Sequence, residues 1–296
     1  MSFMPKGIIV PMVTPFTNQG NVDREALRKL IDHLVDGGVH GLFAVGSTGE
    51  FYGLEKAEKR KVFELVVEAV RGRLPVYAGT GAITTRESVE LTRMAAACGV
   101  DAVSVLTPMF IHPSQDELFE HYRKIAACTR LPLVLYSNPP RTGVSLKAET
   151  VARLAEIDNV VGIKDSSGDL TLTAEYIRIS SDRDFNVLSG RDTLIYACLC
   201  HGGSGAVAAC ANIVPRLVVD IYRRYVDGDL KGALEAQQRL SPLRLAFGLG
   251  TFPAVVKEAL GLIGIGDGYA LEPAGRLSEE DRDQLRGIMA ELGVLG

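Results

Sequence analysis

The sequence of 296 residues lacks the features that mark several classes of protein. It has five cysteines, an odd number with no Cys-x-x-Cys pair, so we expect reduced thiols in a cytoplasmic protein and no disulfide framework. No stretch of about 18 uninterrupted apolar residues occurs, and the N-terminus lacks the apolar stretch of a signal peptide. We therefore expect neither a transmembrane helix nor secretion.

The sequence also has only a small excess of charge of one sign. The formal net charge is −4, the isoelectric point is about 5.8, and no long run of like charges occurs. A protein whose main partner is nucleic acid or an anionic membrane needs a concentrated positive surface. We therefore expect neither partner.

Several catalytic motifs are missing as well. There is no His-Glu-x-x-His helix and no Gly-x-Ser-x-Gly elbow, and the glycine clusters do not complete a dinucleotide fingerprint. The segment Cys198-Leu-Cys200-His201 is the one cluster that resembles metal ligands, but residues two apart on a helix point to different faces. We expect no metal site, and we interpret the scattered histidines as structural or exposed. They are His33, His40, His112, His121 and His201.

Short apolar runs rich in Val, Ile, Leu and Ala recur along the chain, and an amphipathic helical stretch follows each of them. Their apolar residues are consecutive, which indicates strands covered on both faces. Eight such units predict a parallel (β/α)8 TIM barrel; a doubly wound open sheet is the alternative. The runs are Gly7–Val13, Gly41–Gly46, Pro75–Gly79, Ala102–Leu106, Leu131–Tyr136, Val160–Lys164, Phe185–Ser189 and Gly205–Ala209.

Helix signals support this order of elements. Asp23 is a candidate N-cap, and Ser114 followed by Glu117 has the spacing of a capping box. Beyond the eighth unit no further strand is predicted. We expect a barrel over residues 1–224 and a C-terminal helical extension, residues 225–296, packed on the barrel. Its predicted helices are Leu230–Ala246, Phe252–Ile263 and Glu279–Leu292.

Lys164 is the leading catalytic candidate because it ends the sixth apolar run. Active sites of such barrels lie at the carboxyl ends of the strands. Burial there disfavours the ammonium form, and a neutral amine can attack a ketone to form a Schiff base. The alternative interpretation is a strand-end lysine that extends its amine into solvent.

Polar residues at other strand ends support the catalytic interpretation. Tyr136 ends the fifth run beside Lys164, and a phenol there can carry protons. Arg141 in the following loop can bind a carboxylate by two hydrogen bonds. Ser47 and Thr48, in a glycine-rich turn after the second run, offer hydroxyl and backbone donors to a small carboxylate. The alternatives are a core tyrosine and a solvated loop arginine.

Three motifs together resemble one superfamily over nearly the whole chain. They are Gly46-Ser47-Thr48-Gly49-Glu50, Tyr136 with Arg141-Thr142-Gly143, and Gly162-Ile163-Lys164-Asp165. Their order and spacing are similar to those of the dihydrodipicolinate synthase / N-acetylneuraminate lyase superfamily of class I, Schiff-base-forming aldolases. The resemblance implies a (β/α)8 barrel that acts on pyruvate or a related 2-keto acid.

The resemblance also assigns roles to individual residues. It implies that Lys164 forms the Schiff base and that Tyr136 carries the proton. Ser47 and Thr48 would bind the keto-acid carboxylate, and the backbone of Val207 would touch the pyruvate moiety. No cofactor beyond the covalent substrate adduct is implied, and members are commonly homotetramers built as dimers of dimers.

The second substrate is less well defined. Arg141 matches the position that binds the aldehyde carboxylate in the synthases, whereas Phe110 stands where they carry a second tyrosine of the proton relay. Gly190 and Asp192 resemble the sugar-acid lyases, but Thr193 replaces their substrate-binding glutamate. We expect a 4-hydroxy-tetrahydrodipicolinate synthase-like enzyme that condenses pyruvate with aspartate semialdehyde. The alternative is an aldolase or dehydratase for another 2-keto acid, of the 2-keto-3-deoxy sugar acid, 4-hydroxy-2-oxoglutarate or N-acetylneuraminate type.

Two further classes are disfavoured. A non-catalytic keto-acid-binding barrel would have no need for Lys164, Tyr136 and the Ser47-Thr48 pair together. A metal-dependent aldolase would need a cluster of His, Asp or Glu ligands, which the sequence does not offer.

Overall fold

The computed structural model describes residues 3–295 and shows a closed barrel of eight parallel strands. Each strand pairs with the next in chain order, and the last pairs with the first, so the predicted (β/α)8 TIM barrel is confirmed. The strands are β1 Gly7–Pro11, β2 Gly41–Ala44, β3 Val76–Gly79, β4 Ala102–Leu106, β5 Leu133–Ser137, β6 Val160–Asp165, β7 Asn186–Ser189 and β8 Gly205–Val207.

The helices alternate with the strands as predicted. Asp23 caps the first helix by accepting from the Glu25 and Ala26 amides, and Ser114 forms the expected capping box with Glu117. The helices are α1 Arg24–Asp36, α2 Lys56–Val70, α3 Thr85–Ala97, α4 Gln115–Ala126, α5 Pro139–Thr142, α6 Ala148–Leu154, α7 Leu170–Ile179, α8 Ile195–Cys200, α9 Pro215–Val226, α10 Leu230–Leu245, α11 Ala254–Leu262 and α12 Glu279–Glu291.

The barrel interior is filled by apolar side chains from every strand, which explains why the runs are apolar on consecutive positions. A second, larger core lies between the outer faces of the strands and the surrounding helices. The interior therefore leaves room for chemistry only at the ends of the barrel. The interior side chains are Ile9, Phe43, Tyr77, Ala102, Val134, Val161, Leu188 and Val207.

The C-terminal helices pack beside the barrel and reach its carboxyl end. The expected boundary at residue 224 falls within α9, and α10 packs along α9. Gln237 of α10 donates to the Asp192 carbonyl at 2.9 Å and accepts from the Tyr196 amide at 3.0 Å. These bonds fix α10 to the loop that follows β7.

A helix that crosses a membrane must be both long and apolar. Across the residues that the structure describes, no single helix is long and apolar enough to do so. One bent pair, Leu230–Leu249 with Ala254–Leu262, meets the requirement of length and composition only when its two parts are taken together.

Asn212 closes the seam between the first and last strands beyond the point where β8 ends. Its fully buried amide donates to the carbonyls of Pro11, at 3.0 Å, and Ala209, at 2.9 Å. Its side-chain oxygen accepts from the Val13 amide at 3.2 Å. The side chain thus replaces the strand pairing that the short β8 cannot supply.

Asn212→Ala is expected to lower the free energy of unfolding by about 2–4 kcal/mol, because buried backbone groups of Pro11 and Val13 lose their partners. Urea denaturation measures the change, with Asn18→Ala at an exposed position as the control. Equal denaturation midpoints for the two variants would contradict this account of the seam.

Candidate active site

A cavity of about 280 Å³ lies at the carboxyl end of the barrel. It is lined by residues from the ends of several strands and by residues of the C-terminal helices. Every site residue expected from the sequence lines this cavity, which brings together side chains more than a hundred positions apart. They are Ser47, Thr48, Tyr136, Arg141, Lys164, Gly190 and Val207.

A wider hollow of about 940 Å³ lies elsewhere, between the end of α1, the start of α9 and the C-terminal residues. It is not at the strand ends, and it contains none of the expected site residues. We therefore place the chemistry in the smaller cavity.

Lys164 and Tyr136 lie side by side on adjacent strands. The register pairs Tyr136 of β5 with Lys164 of β6, and both residues are about 4% exposed. The Lys164 amine lies 3.8 Å from the centroid of the Tyr136 ring and 5.3 Å from that of Phe43. The amine is therefore enclosed by aromatic rings, and the alternative of a lysine extended into solvent is not what the structure shows.

A β-bulge aims Lys164 into the barrel mouth. Val160 pairs with Leu133, but Gly162 pairs with Val134, so β6 carries one extra residue at Val161. Val161 fills the barrel interior, and simple alternation would then put Ile163 inside as well. The extra residue shifts the alternation, so Ile163 packs in the outer core and Lys164 faces the cavity.

Gly162 permits this bulge because a side chain does not fit there. A Cβ at this position would collide with the carbonyl oxygen of Asn186 on β7. Glycine inside a strand commonly marks a bulge or a close backbone approach, and here it marks both.

The Tyr136 hydroxyl has an environment that favours its ionised form. Burial would raise its pKa, but the charge of Lys164 and hydrogen bonds from Ser47, Lys164 and Asn138 lower the pKa to about 8. The Asn138 amide donates to the hydroxyl at 3.1 Å. A phenol with such a pKa can give and take a proton near neutral pH.

The turn after β2 presents Ser47 and Thr48 to the same cavity. It is built tightly: the Gly49 amide donates to the Gly46 carbonyl at 3.0 Å, and the Glu50 amide donates to the Ser47 carbonyl at 3.2 Å. Thr48 is 4% exposed. The hydroxyl groups lie beside a lysine amine and a phenol, an arrangement that suits a small carboxylate next to a reacting carbonyl.

Gly190 and Arg141 line other parts of the wall. A Cβ at Gly190 would collide with the Ser166 hydroxyl, and its amide donates to the Asp165 carbonyl at 2.6 Å. The Arg141 guanidinium lies 4.8 Å from the centroid of the Phe252 ring. The arginine therefore stands over an aromatic face at the rim of the cavity.

Two arginines that the sequence reasoning missed complete the cavity. Arg191 donates from Nε to the Ser166 carbonyl at 3.0 Å. The Nε of Arg244 lies 3.5 Å from the buried carboxylate of Asp192, which also accepts from the Cys210 amide. Arg191 is the second residue after the end of β7, so the strand-end rule could have found it. Arg244 lies on α10 and carries no such signal.

Phe110 is absent from the cavity lining of its own chain. Its side chain is 87% exposed and its φ of 73° lies in the left-handed region.

Within residues 3–295, no group of three or more His, Cys, Asp or Glu side chains is arranged to hold a metal ion. Among the expected structural histidines, His121 is buried, which lowers its pKa to about 4.

Comparison with known proteins identifies the relatives of this chain. The model of the dihydrodipicolinate synthetase family matches residues 4–292. The chain belongs to the dihydrodipicolinate synthetase family. The superfamily resemblance expected from the motifs is thereby confirmed, and with it membership of a family of class I aldolase-type lyases.

Several members of the dihydrodipicolinate synthetase family match this chain over nearly its whole length. A 4-hydroxy-tetrahydrodipicolinate synthase of Methanothrix thermoacetophila is 39% identical over 99% of this chain and 98% of the relative. A dihydrodipicolinate synthase structure from Thermotoga maritima has a TM-score of 0.96 at 34% identity, covering 99% of this chain and 100% of that one. YagE of Escherichia coli K12, solved in complex with pyruvate, has a TM-score of 0.94 at 33% identity, covering 98% and 99%.

Lys164→Met tests the electrostatic link between the two central side chains. Without the neighbouring charge, the pKa of Tyr136 is expected to rise from about 8 toward its ordinary value of 10 or beyond, because burial then dominates. Ultraviolet difference titration measures it, with the Tyr136→Phe form of each protein subtracted to isolate this tyrosine. An unchanged titration in the Lys164→Met protein would show that Lys164 does not lower the pKa.

Proposed function

We propose that this protein is a pyruvate-dependent Schiff-base synthase of the 4-hydroxy-tetrahydrodipicolinate synthase type, condensing pyruvate with aspartate semialdehyde. The observation that carries the proposal is the buried Lys164 amine, 3.8 Å from the Tyr136 ring at the barrel mouth. Family membership and full-length relatives named as such synthases support it.

The first half of the proposed reaction belongs to Lys164 and Tyr136. Tyr136 as a phenolate accepts the proton that Lys164 must lose before it attacks. The amine nitrogen then bonds to the carbonyl carbon of pyruvate, and Tyr136 returns the proton to the oxygen, which gives a carbinolamine. Tyr136 next carries a second proton from the nitrogen to this hydroxyl, which leaves as water while the nitrogen lone pair forms the C=N bond. The resulting iminium draws electrons from the neighbouring methyl carbon, which loses a proton and becomes the nucleophile that attacks the aldehyde.

Ser47, Thr48 and Val207 are the proposed contacts of pyruvate. Thr48 is buried in a turn whose hydroxyl and backbone donors suit a carboxylate. Val207 ends β8 and lines the same cavity, and Gly190 keeps the space near Ser166 open. Held this way, the keto carbon faces Lys164.

The remaining part of the cavity suits an anionic aldehyde. Arg141, Arg191 and Arg244 line it, and Asp192 offsets only one of these charges. Guanidinium groups hold carboxylates through paired hydrogen bonds. Burial lowers the pKa of Arg191, and repulsion from Arg244 and Arg141 adds to this effect. A carboxylate on the second substrate would relieve that repulsion.

A second candidate function rests on Phe110. If the family's relay tyrosine is replaced here, an aldolase or dehydratase for another 2-keto acid fits the same Lys164 chemistry. A pocket for 2-keto-3-deoxy sugar acids would bind neutral hydroxyl groups, and the three arginines favour the anionic aldehyde instead.

The proposal extends to the cofactor, the cellular location and the oligomeric state of the enzyme. We propose that the covalent adduct with the keto acid replaces any separate cofactor. We propose further a cytoplasmic homotetramer built as a dimer of dimers. Phe110 and Ile111 support an assembly in which they are covered, because both are large apolar side chains exposed on one loop.

Turnover of pyruvate with aspartate semialdehyde tests the proposal against its alternative. The enzyme is expected to consume both substrates in the presence of a chelator, and to cleave 2-keto-3-deoxy acids more slowly. Cleavage of a 2-keto-3-deoxy acid with no turnover of the semialdehyde would favour the second candidate.

Arg191→Met is expected to raise KM for the semialdehyde about tenfold or more, because a charge-assisted contact is lost. The KM for pyruvate should stay the same. Arg178→Met is the matched control, since Arg178 is an exposed arginine paired with Glu175 on α7, away from the cavity. An equal effect of both substitutions would remove Arg191 from the aldehyde site.

A further inference from the structure

A buried ion pair joins the turn after β2 to the C-terminal helices. The Glu50 carboxylate contacts the Lys257 amine of α11, and the two side chains are 0% and 3% exposed. The other carboxylate oxygen of Glu50 accepts from the Leu271 amide at 2.7 Å. Glu50 thus spans more than 200 positions to hold two separate segments of the extension.

Neither side chain lines the catalytic cavity. The Lys257 amine instead lies 4.0 Å from the centroid of the Phe16 ring, and Lys257 lines a small cavity whose other residues are mainly apolar, with Asp267 as the one acidic residue. Removing two charges from water is costly, and well-packed apolar residues often stabilise a fold as well as a buried ion pair does. Stability alone therefore does not explain why this ion pair is buried here, and we look for another role.

The backbone conformation of the turn after β2 indicates what that role is. Val45 and Glu50 bracket the Gly46–Gly49 segment, and both have a φ of 56°. This left-handed conformation is unfavourable for side chains with a Cβ, above all for β-branched valine, and it persists only where surrounding contacts hold it. Thr14 anchors the last residue of this segment by donating to the Gly49 carbonyl at 2.9 Å. Glu50 anchors the far end through its ion pair.

We propose that Glu50 and Lys257 are positioning residues that hold Ser47 and Thr48 in the geometry that binds the keto-acid carboxylate. This inference rests on the proposed function, which places that carboxylate at the turn. The C-terminal extension thereby sets the affinity for pyruvate without touching it. Weakening the ion pair lets the strained turn relax, so the hydroxyl and amide donors of Ser47 and Thr48 no longer point at one carboxylate.

The test uses Glu50→Gln, Lys257→Met and the double variant in the full-length enzyme. Each single substitution leaves one buried charge without a partner, whereas the double variant removes both charges and is expected to be the most stable of the three. The glutamine introduced by Glu50→Gln keeps an oxygen for the Leu271 amide. The double variant therefore keeps the proposal testable if a single variant does not fold.

All folded variants are expected to bind pyruvate about tenfold or more weakly, by calorimetry and by KM, with kcat and the KM of the second substrate nearly unchanged. Glu258→Gln is the matched control. Glu258 is the next residue of α11, is equally buried, and pairs with Arg276 and Arg282 within the extension. It should lower the melting temperature and leave pyruvate affinity unchanged.

Two outcomes would overturn the positioning role. One is a double variant with wild-type pyruvate affinity, and the other is a Glu258→Gln enzyme that loses affinity to the same degree. Failure of the proposed function looks different, because the wild-type enzyme itself would then not bind pyruvate.

Discussion

The extra residue in β6 is the constraint on which the site depends. β6 bulges against β5, Gly162 allows β7 to approach closely at the bulge, and the extra residue turns Lys164 from the helix-facing side of the barrel to its interior. There the amine lies against Tyr136 on the neighbouring strand, and its charge lowers the pKa of the Tyr136 hydroxyl. Without the bulge, Ile163 would face the cavity and the amine would lie among the helices.

The cavity has two parts that differ in charge and in the elements of the fold that line them. Strand ends and the turn after β2 supply the part proposed for pyruvate, where the Lys164 amine lies beside the Tyr136 phenol. Arginines supply the part proposed for the aldehyde, and Arg244 comes with Phe247 and Phe252 from the C-terminal extension. The extension is therefore part of the site, both by lining it and through Lys257, which reaches the turn from outside.

Much of this could be predicted from the sequence, and the exceptions have physical causes. Consecutive apolar residues revealed the strands, and the strand-end rule identified Lys164 because a charged residue closing a buried strand stands out locally. The bulge could not be placed, since the collision that requires Gly162 comes from another strand. Arg244 and the Glu50–Lys257 pair were missed for the same reason: their partners are remote in sequence. Arg244 and Lys257 lie on helices, and Glu50 stands in the turn after β2 without a local sign of its partner.

The most direct measurement of the central claim is borohydride reduction in the presence of pyruvate, followed by peptide mass mapping. Reduction of a Schiff base fixes the keto acid to the nitrogen that formed it. The account predicts one pyruvate-derived adduct, on the peptide that carries Lys164, and no adduct in the Lys164→Ala protein. An unmodified Lys164, or an adduct that persists at another lysine after that substitution, would contradict it.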